Sequence, residues 1–151
     1  MPAFLWSVLV RVFMPLALTI VALALGTAFV LAAENDNAAE KPYTITDGKV
    51  DKKTYNGWRR YTESCMRCHG PDGAGSSYAP DLVDSVKRMR KDEFEDVVIN
   101  GRTNVNAANE NVMPPFGEVE DVVTYLDDIW SYLRARADGV LGRGRPPRIG
   151  D

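Results

Sequence analysis

The chain has 151 residues, 45% of them apolar and 26% charged, which is material for one core and excludes a wholly membrane-embedded protein. With 18 basic against 21 acidic residues the net charge is −3, contrary to the basic balance of a general nucleic-acid binder. Two cysteines exclude a multi-disulfide scaffold, and the single histidine, His69, excludes sites built on two or three histidines.

Residues 1–33 read as an export segment. Arg11 is their only charge, the 22 residues from Val12 to Ala33 carry none, and Val30-Leu31-Ala32-Ala33 offers small residues for a signal peptidase. A run of this length also reaches across a bilayer, which takes about 20 residues. Two readings stay open, a cleaved signal peptide or a membrane anchor retained over residues 12–33. In both, the positive charge precedes the run, so the remainder faces away from the cytoplasm. That remainder keeps all 21 acidic residues and loses only Arg11 of the 18 basic ones, for a net charge of −4. Glu118, Glu120, Asp121, Asp127 and Asp128 stand just before a cluster of Arg134, Arg136, Arg143, Arg145 and Arg148. Such an uneven field either steers a partner or belongs to a solvated helix face and a loose tail.

The next stretch, residues 34–50, is a polar leader with a turn at Asp47-Gly48. A domain over 51–138 follows. Asp51 is placed to cap a helix running to about Ser64, with Tyr55, Trp58, Tyr61 and Cys65 on one side. A loop with Gly70, Gly73, Gly75 and Pro80 comes next, then a short helix through Leu82, Val86 and Met89. Asp92 and Glu95 have the spacing of a capping box for a helix carrying Phe94, Val97 and Val98 and ending at Gly101. The Asn-rich stretch from Asn104 to Asn111 reads as a loop. The last helix is predicted over about Glu118 to Ala137, on the stripe Val119, Val122, Val123, Leu126, Ile129, Trp130 and Leu133. No alternating run is long enough to build a sheet. Residues 139–151 form a basic tail that is expected to pack poorly.

The informative string is Cys65-Met66-Arg67-Cys68-His69. Cys-x-x-Cys-His is the attachment signal for c-type haem. Two thiols three positions apart at a helix end reach the two vinyl groups of one porphyrin, and the next residue brings an imidazole under the iron. Export fits this reading, because the attachment is made outside the cytoplasm. Three other readings are weaker. A thioredoxin-like pair belongs at a strand-to-helix turn of an α/β pattern, which is missing here. A structural zinc site needs a fourth ligand beyond the two cysteines and His69. A Cys65–Cys68 disulfide closes too short a loop to stabilise much.

For the sixth iron position there is no second histidine, which leaves a methionine, a lysine or a vacant site. Met1 and Met14 lie in the export segment, and Met66 is tied to the face of the cysteines. Met89 sits in the charged stretch Lys87–Lys91, where packing is its ordinary role. Met113 ends a polar loop and is followed by Pro114-Pro115, which stiffen the backbone behind it. Met113 is therefore the expected distal ligand, with a gap-filling core methionine as the plainer reading. An iron with both axial positions filled passes single electrons and offers no open site for a substrate, which points to a carrier rather than an enzyme. A sensor or haem enzyme with an open sixth position is the contrary reading. Trp58, Tyr61, Phe94, Tyr125 and Leu126 are the expected lining and interhelix residues. Tyr78 and Arg102 are either propionate contacts or solvated loop residues.

From about Tyr55 to Leu133 the sequence resembles the class I c-type cytochromes. The resemblance rests on Cys65-Met66-Arg67-Cys68-His69-Gly70, Gly73, Ala79-Pro80-Asp81-Leu82, Asn100-Gly101, Met113-Pro114 and Val122-Val123-Thr124-Tyr125-Leu126. It implies an all-α fold with helices packed around one covalently attached haem c. It also implies a crossing of the first and last helices at Gly57 and Tyr125, and a Pro80 carbonyl that accepts the outer proton of the axial His69. A narrower resemblance, to the methanol-metabolism-related cytochromes c, rests on Gly70-Pro71-Asp72-Gly73, Gly75-Ser76-Ser77-Tyr78-Ala79-Pro80, Gly101-Arg102-Thr103-Asn104-Val105 and Gly142-Arg143-Gly144-Arg145-Pro146. That resemblance implies a periplasmic carrier that takes electrons from a PQQ-dependent alcohol dehydrogenase and passes them to another cytochrome c or an oxidase. The expected site is Cys65, Cys68, His69 and Met113, with His69 and Met113 on the iron. Nucleic acid is not an expected partner, and a membrane is one only if residues 12–33 remain as an anchor. The alternative is a general carrier between a quinol-oxidising complex and a terminal oxidase.

Overall fold

The computed structural model describes residues 41–106 and 109–150, so the expected export segment and residues 34–40 of the leader lie outside the described residues. Two short strands, β1 (Ile45–Thr46) and β2 (Lys49–Val50), form a hairpin whose turn is Asp47-Gly48, both at positive φ. Helix α1 (Lys52–Ser64) starts where expected, because Asp51 accepts hydrogen bonds from the Thr54 amide at 2.8 Å and the Thr54 hydroxyl at 2.9 Å. Helix α2 (Met66–His69) follows at once, then a tight turn at Pro71–Gly73. Helix α3 (Leu82–Arg88) is capped by Asp81, and α4 (Lys91–Asn100) ends at Gly101 with φ 76°. Strands β3 (Arg102–Asn106) and β4 (Asn109–Met113) pair antiparallel, and α5 (Glu120–Thr124) and α6 (Leu126–Ala137) close the order. Among the described residues no helix is long and apolar enough to cross a membrane.

The core lies where α1, α3 and α4 pack against α6. Tyr61 packs at a tilt against Tyr132 with ring centroids 5.4 Å apart, and Phe94 likewise against Trp130 at 5.1 Å. Ile129 and Leu133 are almost wholly buried, and each contributes about 1.5–3 kcal/mol relative to exposure. At the crossing of α1 and α6 the chains come so close that a Cβ on Gly57 would lie 1.8 Å from the Asp128 carbonyl oxygen. Gly57 thus takes the expected crossing role, but against the backbone of Asp128 and Ile129. Tyr125 lies at the break between α5 and α6, with the Arg60 guanidinium 4.4 Å from its ring centre.

Five expectations need correction. Of the stretch from Asn104 to Asn111, the described residues 104–106 and 109–111 are strand rather than loop, in the register Arg102–Met113 to Asn106–Asn109. Its asparagines signal turns, yet Thr103, Val105 and Val112 are β-branched and suit strands. The last helix is interrupted at Tyr125, after the β-branched run Val122-Val123-Thr124 that weakens helix propensity. The Asp92 capping box does not form: the cap position of α4 is Arg90, two residues earlier, and the Asp92 carboxylate pairs with Arg90 instead. The tail 139–150 is exposed along most of its length but is anchored to the fold rather than loose. Leu141 is buried, the Val50 amide donates to Pro147 O at 2.9 Å, and the Ile149 amide donates to Val50 O at 2.9 Å. The leader also joins the core, since Val50 is fully buried and the buried Tyr43 hydroxyl donates to Asp138 Oδ2 at 2.6 Å.

Candidate functional site

The Cys-x-x-Cys-His string is folded as one helical turn at the end of α1. The Cys65 amide donates to Tyr61 O at 2.9 Å and so finishes α1, while the Cys68 and His69 amides donate to Cys65 O at 3.2 and 3.0 Å and build α2. This puts Cys65 and Cys68 on neighbouring positions of one face. Both thiols are free; Cys65 is half-buried against the core and Cys68 is exposed. Burial, with the second thiol beside it, pushes the Cys65 thiol up to about 12. Among the described residues no group of three or more His, Cys, Asp and Glu side chains converges as a metal site, so no carboxylate completes the zinc reading.

His69 is buried, and its Nδ1 lies 3.0 Å from Pro80 O. A carbonyl only accepts, so Nδ1 carries the hydrogen and the ring's lone pair is left on Nε2. Among the described residues Nε2 has no hydrogen-bond partner. The Pro80 carbonyl is in place because the loop between is tied back on itself. The Gly75 amide donates to His69 O at 2.8 Å, the Ser76 hydroxyl to Cys68 O at 2.5 Å, and the Ser76 amide to Ala79 O at 2.9 Å. Gly70 has φ 71°, and a Cβ there would sit 2.3 Å from Gly75 O, so only glycine allows the return. The buried Tyr61 hydroxyl donates to Gly70 O at 2.5 Å, which anchors the loop to α1.

Met113 comes from a separate segment. It ends β4, pairs with Arg102, and packs half-buried against the core. Its backbone rests on Gly101, where a Cβ would lie 2.6 Å from Met113 O and 2.9 Å from Pro115 N. The Phe116 and Gly117 amides then donate to Val98 O and Ile99 O, at 2.9 and 3.1 Å, and bind the segment to the end of α4. Met89, the rejected candidate, caps the end of α3 and packs against the core. Of the expected lining residues Tyr61, Phe94 and Leu126 are buried, and Trp58 packs against them half-buried. Tyr78 is 76% exposed and Arg102 is also exposed. The role of Gly101 beneath Met113 and the Tyr61–Gly70 bond have no signal in the local sequence beyond the helix stop at Gly101.

The parts present fit a covalently attached haem. Two free thiols stand one turn apart, and the imidazole of the next residue is held through Nδ1, with its lone pair on Nε2. Fold and motif together define a c-type cytochrome. Residues 53–133 match the family described as cytochrome c oxidase, cbb3-type, subunit III, and the chain belongs to that family of cytochromes. It is 48% identical to cytochrome c-553I of Paracoccus denitrificans over 105 residues, 70% of this chain and 46% of that protein. It is 40% identical to cytochrome c-555 of Methylococcus capsulatus over 96 residues, 63% of this chain and 72% of that one. The solved structure of c-type cytochrome XoxG from Methylobacterium extorquens AM1 superposes with a TM-score of 0.65 at 47% identity, covering 72% of this chain and 67% of that one. The chain spans about half the length of cytochrome c-553I. It is a class I c-type cytochrome, and haem c is the cofactor of that family, as the Cys65–His69 string implied.

Proposed function

We propose that Cys65 and Cys68 hold a single haem through thioethers, that His69 Nε2 is its fifth ligand and that Met113 is its sixth. The observation that carries this is the Nδ1–Pro80 contact at 3.0 Å, which leaves the lone pair of the ring on Nε2 in a residue next to Cys68. When bound, the haem supplies a one-electron iron centre. The chain's own part is to hold it rigidly. The proline-stiffened segment behind Met113 and the closed loop behind His69 keep both ligands in place through a change of charge, so that electron transfer needs little rearrangement.

The carrier works in the periplasm, delivered there by residues 1–33, with the leader from Tyr43 and the tail to Ile149 joined to the 51–138 domain. Its donor is a PQQ-dependent methanol or alcohol dehydrogenase and its acceptor another cytochrome c or an oxidase. Support for the donor is the resemblance of the loop Gly70–Pro80 and the tail Gly142–Pro146 to the methanol-metabolism-related cytochromes. A second reading, a general carrier between a quinol-oxidising complex and an oxidase, is favoured by the oxidase-subunit description of the matching family. Mixing the haem-loaded chain with purified PQQ methanol dehydrogenase and methanol separates the two. Fast, methanol-dependent haem reduction that slows with added salt supports the dehydrogenase as donor. No reduction, in a sample that ascorbate still reduces fully, removes it and leaves the general carrier.

A further inference from the structure

Asp72 is the non-glycine residue inside the haem-side loop that adopts a left-handed backbone, with φ 62° and ψ 16°. Glycine would hold this conformation more easily, so the aspartate side chain has work that offsets the strain. Its carboxylate is 10% exposed and accepts two hydrogen bonds from the C-terminal tail, from Arg143 Nε at 3.1 Å and from the Gly144 amide at 2.9 Å. Gly144 has φ 85°, which turns that amide toward the loop. On α6, Arg136 joins the same two segments: its Nε donates to Asp72 O at 3.3 Å and its Nη1 to Leu141 O at 2.6 Å. Beyond this point the tail runs past α1, where Arg145 lies 5.6 and 5.9 Å from the ring centres of Tyr55 and Trp58, and ends on Val50. The tail is therefore anchored at both ends, and one anchor is the loop between His69 and Pro80.

We propose that residues 141–144 are a latch: by gripping Asp72 they hold the Gly70–Pro80 loop closed, and so hold the Pro80 carbonyl on Nδ1 of His69. Asp72 is a positioning residue for the axial ring, acting through the Gly75–His69 and Pro80–His69 bonds. The inference rests on His69 as the haem ligand. A hydrogen bond to Nδ1 makes the imidazole a stronger donor to a metal, so a looser loop favours the reduced state.

The test is hydrogen exchange by NMR on the haem-loaded, reduced full-length chain, comparing the parent with Asp72→Gly and Asp72→Asn. Asp72→Gly removes the carboxylate and relieves the backbone, so unfolding is not its expected effect. The Gly75 amide and the His69 ring Nδ1–H are each expected to exchange at least tenfold faster in Asp72→Gly, while the Leu133 amide in the core keeps its protection. The midpoint potential is expected to rise. Asp72→Asn keeps an acceptor for Gly144 and is expected to recover part of the protection. A Gly75 amide that exchanges in Asp72→Gly as in the parent, with the Gly144 amide set free, overturns the latch whatever the potential does. If the His69 ring resonances lack the large shifts of a haem ligand, the ligand assignment fails on its own, and the Gly75 amide still decides the latch.

Discussion

Replacing Gly57 with alanine sets two physical effects against each other. Gly57 lies inside α1, where alanine is favoured over glycine by about 0.8–1 kcal/mol. The added methyl carbon, however, would stand 1.8 Å from Asp128 O, 2.4 Å from Asp128 C and 3.0 Å from Ile129 N. All three are backbone atoms of α6 and cannot swing aside. Carbon contacts are comfortable at about 3.5 Å, so the helices must part by roughly 1.5 Å at the crossing. A gap of about 0.5–1 Å already forfeits a quarter to a half of the dispersion well, and Tyr61, Ile129 and Leu133 are packed across this interface. Overpacking costs about 1–3 kcal/mol and occasionally more, and backbone contacts put this site at the upper end. The expected net destabilisation, after the helix gain is set against it, is about 2 kcal/mol, which lowers the Tm of a domain this size by roughly 8–15 °C. Thermal unfolding of the haem-loaded chain, followed by circular dichroism, reads it directly. Because α1 delivers Cys65, the yield of haem attachment is expected to fall as well. An unchanged or higher Tm would mean that the crossing has room, and would refute the close approach from which the placement of Cys65 follows.

Three further outcomes are expected. Tyr61→Phe leaves Gly70 O buried without its donor and costs about 1–3 kcal/mol by denaturant unfolding, with m unchanged. Gly101→Ala meets both a φ of 76° and a contact at 2.6 Å to Met113 O, so it dislodges Met113; a rise in carbon monoxide binding by the reduced haem-loaded chain checks this. The Asp51 carboxyl is raised by burial but lowered further by hydrogen bonds from Thr54, Thr44 and Lys53, so its folded pKa lies below the unfolded one. Its contribution is complete above the unfolded value of about 3.9, and is lost as pH falls through the folded value. Asp51→Asn should therefore flatten the fall in stability below about pH 4, which urea titrations at several pH values measure.

Much of the site was legible because its signals are local. The Cys65–His69 string, the Asp51 cap and the Gly101 stop each depend on residues within a few positions, and each is found where the spacing put it. The Pro80 contact, eleven positions from His69, was reached only through family resemblance. What was missed is held by long-range pairs. The tail looked loose because its anchors, Asp72 and Val50, lie far back in the chain; Gly144 and Asp72 are 72 positions apart. Tyr43 looked like leader because its partner, Asp138, is 95 positions away. The β3–β4 hairpin was hidden by asparagines, whose turn chemistry is a local signal that backbone pairing overrode. The break at Tyr125 was masked by an apolar stripe that continues in register through both helices.

The most direct measurement is the optical spectrum of the haem-loaded chain and of its Met113→Ala variant, oxidised, reduced, and reduced under carbon monoxide. With His69 and Met113 both on the iron, the parent is low-spin in both states and inert to carbon monoxide. Met113→Ala is then high-spin and binds the gas readily. Spectra that do not change when Met113 is replaced, or a parent that is itself high-spin, would contradict a closed two-ligand iron and with it the reading of this cytochrome as a simple carrier.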